Sequence, residues 1–131
     1  AEARQQFEEA LALYRELANT DQVYLPYVAA TLHNKGNLSR AENSNAEARL
    51  QYQETLDIRR GLAQTNPAAY MPIVAQTLLT FGLLNQAENR NAEARKHYEE
   101  ALGIFRQFAA LAPSTYQPRV EQLEQLIREL P

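Results

Sequence analysis

The chain has 131 residues, of which 13 are Lys or Arg and 16 are Asp or Glu, so its formal charge is -3. This charge offers no basic surface for nucleic acid or anionic lipid. Because the sequence has no cysteine, disulfides, thiolate metal clusters and a thiol nucleophile are excluded. Helix-forming Ala, Leu, Glu, Gln and Arg dominate, so the composition predicts an all-α protein of one domain with no nucleic-acid partner.

Membrane and targeting signals are not evident in the sequence. No apolar run approaches the roughly 20 residues that span a bilayer, and the first residues lack the basic-then-apolar order of a signal peptide. We therefore expect no membrane partner and a cytoplasmic location. The chain starts on Ala1, inside a phrase that recurs further along, so we expect it to be a segment of a longer protein.

The first predicted helix covers residues 1–19. Its apolar residues recur three or four positions apart, which is typical of an amphipathic helix. They are Ala3, Phe7, Ala10, Leu11, Tyr14, Leu17 and Ala18. A stripe of this width needs a partner on more than one side, so we expect part of it to be bare.

Internal repetition organises the rest of the chain. The phrase "AENSNAEAR" at residues 41–49 returns as "AENRNAEAR" at residues 87–95, and more than half of the 41–70 segment is identical to 87–116. Upstream, Gly36 matches Gly82 at the same offset. We predict a repeat over 24–65, a second over 70–111 and a closing helix over 116–130, with two helices in each repeat.

Asparagines punctuate the turn between the two helices of each repeat. Asn43 and Asn89 tolerate the left-handed conformation that ends a helix, and Asn45 and Asn91 are predicted to cap the helix that follows. The repeated phrase is therefore mainly a helix–turn–helix hinge.

Paired prolines mark the entry to the next repeat. Pro67 and Pro72, and later Pro113 and Pro118, both suit a helix start. The residue before a proline is biased away from helix, so the sequence leaves open which proline begins the helix.

With these positions in place, the sequence resembles the tetratricopeptide repeat family, which has a large apolar residue, an aromatic and small residues at fixed spacing. The matching residues of the second repeat are Leu78, Phe81, Gly82, Ala94, Tyr98 and Ala101. The period is longer than the usual ~34 residues, as in kinesin-light-chain-like and many bacterial members. The resemblance implies a right-handed superhelix of about six antiparallel helices that binds proteins without catalysing a reaction.

Three positions depart from the family pattern. Lys35 replaces a leucine, and Ser39 and Asn85 replace an aromatic residue. Lys35 either lays its aliphatic stem along the core with its amine in water, or is placed to meet an acidic group of a ligand.

The resemblance also implies a concave groove lined by the first helix of each repeat. Carried onto this sequence, its lining is His33, Asn34, Asn37 and Arg40, then Gln76, Leu79, Thr80, Leu83 and Gln86, and finally Gln122, Gln125 and Leu126. One end is polar with a cation, and the middle is expected to expose leucines. Such a groove suits a peptide with an apolar anchor and an acidic or amide group, although the same residues are consistent with a plain solvated surface.

Catalytic, cofactor and metal sites are not predicted. His33 and His97 lie on different helices, and no His, Asp or Glu residues show a metal-ligand spacing. Neither a serine-nucleophile motif nor a glycine-rich phosphate loop is present in the sequence.

Two functions follow as hypotheses. The first is a non-enzymatic module that binds a protein or peptide segment in the groove. The alternative is a structural module that associates with itself, as a homodimer or larger species, through the bare face of the helix at residues 1–19.

Overall fold

The computed structural model describes residues 2–131, and within that range it contains six α-helices, one short 3-10 helix and no strand. The helices are α1 (Glu2–Thr20), α2 (Leu25–Ala41), α3 (Asn45–Thr65), α4 (Pro67–Ala87), α5 (Asn91–Leu111) and α6 (Pro113–Glu129), with the 3-10 helix at Gln22–Tyr24. The all-α prediction is confirmed. The chain groups into two compact units, unit 1 (residues 1–65) and unit 2 (residues 66–131).

The first proline of each pair starts the helix. Helices α4 and α6 begin at Pro67 and Pro113, and Pro72 and Pro118 lie inside them. The side chain of Asn66 caps α4 by accepting from the Ala69 N–H at 3.3 Å. A proline at the first helical position lacks only an N–H that has no partner within the helix, so Pro67 and Pro113 suit the start of α4 and α6.

The entry to α2 is built differently. Asp21 caps the 3-10 helix by accepting from the Val23 N–H at 3.0 Å, and α2 begins only at Leu25. This turn lies where the repeat spacing falls from 46 residues (Tyr52 to Tyr98) to 45 (Phe7 to Tyr52). The one-residue difference is therefore absorbed in an exposed turn.

The predicted asparagine hinges adopt the left-handed conformation. Among the described residues other than glycine, Asn43 and Asn89 alone have positive φ, at 61° and 60°. Each turn closes through a backbone bond, from Ser44 to Ser39 at 2.7 Å and from Arg90 to Asn85 at 2.8 Å. The next helices, α3 and α5, begin at the second asparagine of each turn.

The predicted capping role of Asn45 and Asn91 is wrong by one residue. Both asparagines are already helical, and the first α-helical bonds of α3 and α5 are accepted by the Ser44 and Arg90 carbonyls at 3.0 and 2.9 Å. Arg90, which holds the capping position of α5, makes no side-chain cap bond.

In unit 1, α2 packs against both α1 and α3. Leu11, Val28 and Leu32 form the centre of the core, and Ile58 packs against them. Gly36 brings α2 close to α3: a Cβ added to this glycine would lie 2.5 Å from Cε1 of Tyr52, closer than real atoms approach. The glycine is therefore required by packing and not by backbone conformation.

In unit 2, α5 packs against both α4 and α6. The glycine contact recurs, because a Cβ on Gly82 would lie 2.7 Å from Cδ1 of Tyr98. Phe105 and Leu123 are buried at 2% and 0% exposure. The two units therefore use the same glycine–tyrosine contact to hold a pair of helices together.

Helix α4 corrects the expectation about apolar runs. It has 21 residues with a mean hydropathy of 1.3, and by length and composition alone it could cross a membrane. Half of that apolar window is buried inside the protein, which is also the pattern of a core helix. Ten of its residues, from Val74 to Asn85, are buried.

Candidate functional site

The predicted polar end of the groove lies on one face of α2. His33, Asn37 and Arg40 are spaced four and three residues apart, so they project from the same side of the helix. All three are half-buried, whereas Asn34 is exposed. The half-buried trio is the part of the predicted lining that the structure brings together.

Arg59 of α3 joins this group. Its Nη1 lies 3.3 Å from Nδ1 of His33. A guanidinium has no acceptor, so it donates this bond and the imidazole accepts at Nδ1. Burial, with the nearby charges of Arg59 and Arg40, lowers the pKa of His33 to about 4. The ring is therefore neutral at pH 7, and burial also lowers the pKa of Arg59.

Tyr52 forms the floor of the same cluster. Its hydroxyl donates to Oδ1 of Asn37 at 2.6 Å, and its ring centroid lies 5.8 Å from that of His33. Burial raises the pKa of Tyr52, and the charge of Arg40 opposes that shift. The amide oxygen of Asn37 therefore binds the Tyr52 hydroxyl of the adjacent helix, so this oxygen is less available to a ligand.

Arg40 is the free cation of the cluster. Within residues 2–131 it makes no ion pair, and the acidic residue two positions further on, Glu42, is engaged by Arg4. Guanidinium groups favour planar anions such as carboxylates. The geometry thus presents Arg40 next to a neutral imidazole that a second arginine already contacts.

The middle of the predicted groove is less accessible than expected. Leu79 and Thr80 are only 2% and 8% exposed, so the expectation that this leucine is exposed is wrong. Thr80 donates its hydroxyl proton to the Gln76 carbonyl at 3.1 Å, and both Gln76 and Leu83 are half-buried. Since α4 is a core helix, the periodic pattern did not reveal which of its sides faces solvent.

The remaining glutamines are held by local bonds. Gln86 accepts from the Tyr98 hydroxyl at 2.7 Å, as Asn37 does from Tyr52. On α6, Gln122 accepts from Arg119 at 3.0 Å and Gln125 donates to Glu129 at 2.9 Å. Both of these α6 glutamines are exposed and Leu126 is half-buried. Within residues 2–131, none of these glutamine bonds brings two arginines beside a histidine as in the His33 cluster.

The sequence did not predict Arg59 as a site residue. The predicted groove was lined only by the first helix of each repeat, and Arg59 lies on a second helix. A signal was present: its equivalents in the other second helices are the aromatic residues Tyr14 and Phe105. An arginine in an otherwise aromatic column of the repeat indicates a charged group turned toward the interior.

Lys35 lines a cavity of unit 1 whose lining does not include His33, Arg40 or Arg59. That cavity has a volume of about 680 Å³ and its lining includes Arg4, Glu42, Glu47 and Leu50. The lysine is half-buried, consistent with a stem along the protein and an amine near water. Three carboxylates line the cavity, and two of them, Glu42 and Glu47, are paired with Arg4.

Among the described residues, no group of three or more His, Asp or Glu side chains could hold a metal ion.

One segment of the chain matches a known family. The model of the tetratricopeptide repeat family matches residues 28–66, which contain most of α2 and all of α3. This segment is similar to a tetratricopeptide repeat. The same helix pair, glycine–tyrosine contact and asparagine hinge recur in α4 and α5, so the second predicted repeat has the repeat's features.

A solved structure gives the same result for the fold. BtubC (BKLC) from P. vanneervenii, a kinesin light chain-like tetratricopeptide repeat protein, matches with a TM-score of 0.68 at 17% identity. The match covers 98% of this chain and 50% of that one, so the chain spans about half the length of its structural neighbour. No curated protein matches the sequence. The likeness supports a tetratricopeptide-type helical fold.

Proposed function

We propose that this chain is a non-catalytic protein-interaction module, and that unit 1 binds an acidic group of a peptide at the cluster of His33, Arg40 and Arg59. Tetratricopeptide repeats generally mediate protein–protein interaction. The observation that carries the proposal is that Arg40, half-buried, makes no ion pair within residues 2–131.

Electrostatics favour an anion over any other ligand at this place. Burial, and after it the charges of Arg59 and Arg40, lowers the pKa of His33 to about 4. The two guanidiniums therefore add a positive potential at the ring. A carboxylate placed beside Arg40 gains a charge-assisted hydrogen bond, in surroundings that screen charge less than water does.

His33 gives the proposed binding a pH dependence that can be measured. A bound carboxylate opposes the effect of the arginines, so it raises the pKa of the imidazole. Any group whose pKa rises on binding makes binding tighter as the pH falls toward that pKa. We expect affinity for an acidic peptide to increase from pH 7 to pH 5, where the peptide carboxylate is still ionised.

Selection from a phage-displayed random peptide library tests the proposal. The wild-type chain should enrich peptides with an Asp, a Glu or a free terminal carboxylate near an apolar residue. Chemically synthesised winners should bind Arg40→Ala at least about tenfold more weakly, as expected for loss of a charge-assisted hydrogen bond.

Arg119→Ala is the matched control, since it removes the same charge from an exposed position on α6. It should bind the winning peptides as the wild type does. Enrichment of peptides without an acidic group, or equal losses in both variants, would contradict the proposal.

A further inference from the structure

The cavity that Lys35 lines, the Lys35 cavity, lies at two repeat positions that carry aromatic rings in unit 2. In unit 2 these positions are Phe81 and His97, whose ring centroids are 4.6 Å apart. In unit 1 they are Lys35 and Gln51, and both line the cavity of about 680 Å³. A contact between two rings in one unit is thus replaced by two flexible polar side chains beside an open space in the other.

Leu50, which also lines the Lys35 cavity, shows the opposite change. Its side chain is 72% exposed, whereas the equivalent residues of α1 and α5 are the polar Gln5 and Lys96. Single exposed leucines are common on protein surfaces, so Leu50 alone would indicate nothing. Here a buried apolar position has become charged and an exposed polar position has become apolar, and both changes fall in one cavity.

Three helices of unit 1 enclose the cavity. Lys35 comes from α2, Arg4 and Glu8 come from α1, and Glu47 and Leu50 come from α3. Helix α2 packs against both of the others, and Arg4 connects α1 to α3 by pairing with Glu47 at 3.2 Å. The walls of the cavity are therefore held in place by contacts within unit 1.

Two charges of opposite sign in the cavity have no partner. The guanidinium of Arg4 is already paired with the carboxylates of Glu42 and Glu47. Lys35 and Glu8, by contrast, make no hydrogen bond or ion pair within residues 2–131. One ammonium and one carboxylate are therefore left to water, beside the exposed side chain of Leu50.

The charge balance of the lining selects the kind of ligand. Three carboxylates stand against two cations, so a purely acidic ligand is repelled and a purely basic one meets the ammonium of Lys35. A ligand that carries one group of each sign matches both unpaired charges. The volume of the cavity lies within the roughly 300–1,000 Å³ of sites that hold small ligands or a few side chains.

We propose that the Lys35 cavity binds a peptide segment of a partner protein in which an apolar side chain lies close to an acidic and a basic one. The apolar side chain contacts Leu50, the acidic group pairs with Lys35 and the basic group pairs with Glu8. Lys35 and His33 are two residues apart on α2, about 200° around the helix, so they project from different sides of it. The cavity is therefore a site separate from the cluster of His33, Arg40 and Arg59.

Selection from a phage-displayed random peptide library tests the proposal. The bait is the Arg40→Ala chain, in which the acidic-group site is disabled. The library is first depleted on the same chain carrying Lys35→Met and Leu50→Lys, which removes the ammonium and introduces the residue of α5. The enriched peptides should combine an apolar residue with residues of both charge signs.

Chemically synthesised winners are then measured by fluorescence anisotropy. Lys35→Met and Leu50→Lys should each weaken their binding at least about tenfold, because each removes one of the central contacts. The matched controls are Lys96→Met and Leu111→Lys, which make the same changes at exposed positions of α5. Both controls should bind the winners as the wild type does.

A double-mutant cycle locates the acidic group of the peptide. Replacing that residue by its amide should weaken binding to the wild type and should cause little further loss in Lys35→Met, since the partner is already gone. Equal losses in the two proteins would overturn the assignment of the acidic group to Lys35.

Three other results would overturn the proposal: no enrichment after depletion, winners that lack either charge, or equal losses in the α5 controls. The bait lacks Arg40, so failure here leaves the acidic-peptide site of the proposed function untouched. Conversely, the winners should bind whether or not Arg40 is present.

Discussion

Unit 1 places His33 and Arg59 in contact, whereas unit 2 has Leu79 and Phe105 at the same two repeat positions. Both units keep the glycine–tyrosine contact and the left-handed asparagine hinge. The two units thus share the contact and the turn that join two helices, and they differ in the residues beside that contact. We expect a repeat to acquire a ligand site at positions that change from apolar to polar or charged while the shared contacts stay fixed.

A second pair of equivalent positions shows the same difference. Phe81 is 3% exposed, with its ring centroid 4.6 Å from that of His97. Its counterpart, Lys35, is half-buried at the edge of a cavity. Unit 2 uses this position for burial of an aromatic ring, and unit 1 leaves it open to water.

Substituting each of these two residues by the other should reveal the largest difference in stability between the two units. Phe81→Lys replaces a buried ring by an ammonium group, and we expect it to lower the free energy of unfolding by about 3–5 kcal/mol. Urea denaturation followed by circular dichroism measures the loss. The reverse change, Lys35→Phe, is the control and should change stability by less than about 1 kcal/mol. Equal losses in both variants would show that the two positions are not differently buried.

Glycine substitutions test the shared frame. Gly36→Ala and Gly82→Ala each force a methyl group into a tyrosine ring, so each should destabilise by about 1–3 kcal/mol. Gly61 and Gly103 have no heavy atom within 4 Å of an added Cβ. Their alanine variants should be more stable by about 0.5–1 kcal/mol through helix propensity. Thermal unfolding of the four variants measures these changes. If the melting temperatures of both pairs shifted in the same direction, the shared glycine–tyrosine packing would be contradicted.

Acid titration sharpens the difference at His33. The folded pKa of about 4 lies below the ordinary value of 6.5, so between these values the unfolded chain binds a proton that the folded chain does not. Stability therefore falls as the pH drops from 6.5 to 4. For a partly exposed ring we expect a contribution on the order of 1 kcal/mol.

His33→Leu introduces the residue of unit 2 and should remove this part of the pH dependence. Chemical denaturation of both proteins at pH 7, 5.5 and 4.5 gives the difference directly, since the carboxylates are common to both. If the wild type and the variant lose stability in parallel, His33 is not held neutral by its surroundings.

The hinges and glycine contacts that the two units share were predictable because each depends on a short segment of sequence. Asn43 and Asn89 carry the conformational preference of the hinge, and Gly36 and Gly82 mark close packing, so each could be read from a short segment. The capping residues were misplaced by one position because the hinge, and not the capping side chain, decides where the helix begins.

The site was only partly predictable because it depends on neighbouring helices. Asn37 and Gln86 looked like groove residues until the structure placed a tyrosine hydroxyl against each one. Leu79 looked exposed because α4 has apolar residues on several sides, so its sequence pattern has no clear polar face. Arg59 comes from a different helix, and only the fold brings it to His33.

The turns at Asn43 and Asn89 have a consequence for folding kinetics. Within each unit the packed helix pairs are α1–α2, α2–α3, α4–α5 and α5–α6, which are neighbours in the chain. Joining such helices closes only short loops, so little chain entropy is lost before the first contacts form. We therefore expect each hairpin to form early in folding, and substitutions that stiffen the two asparagine turns to change the folding rate.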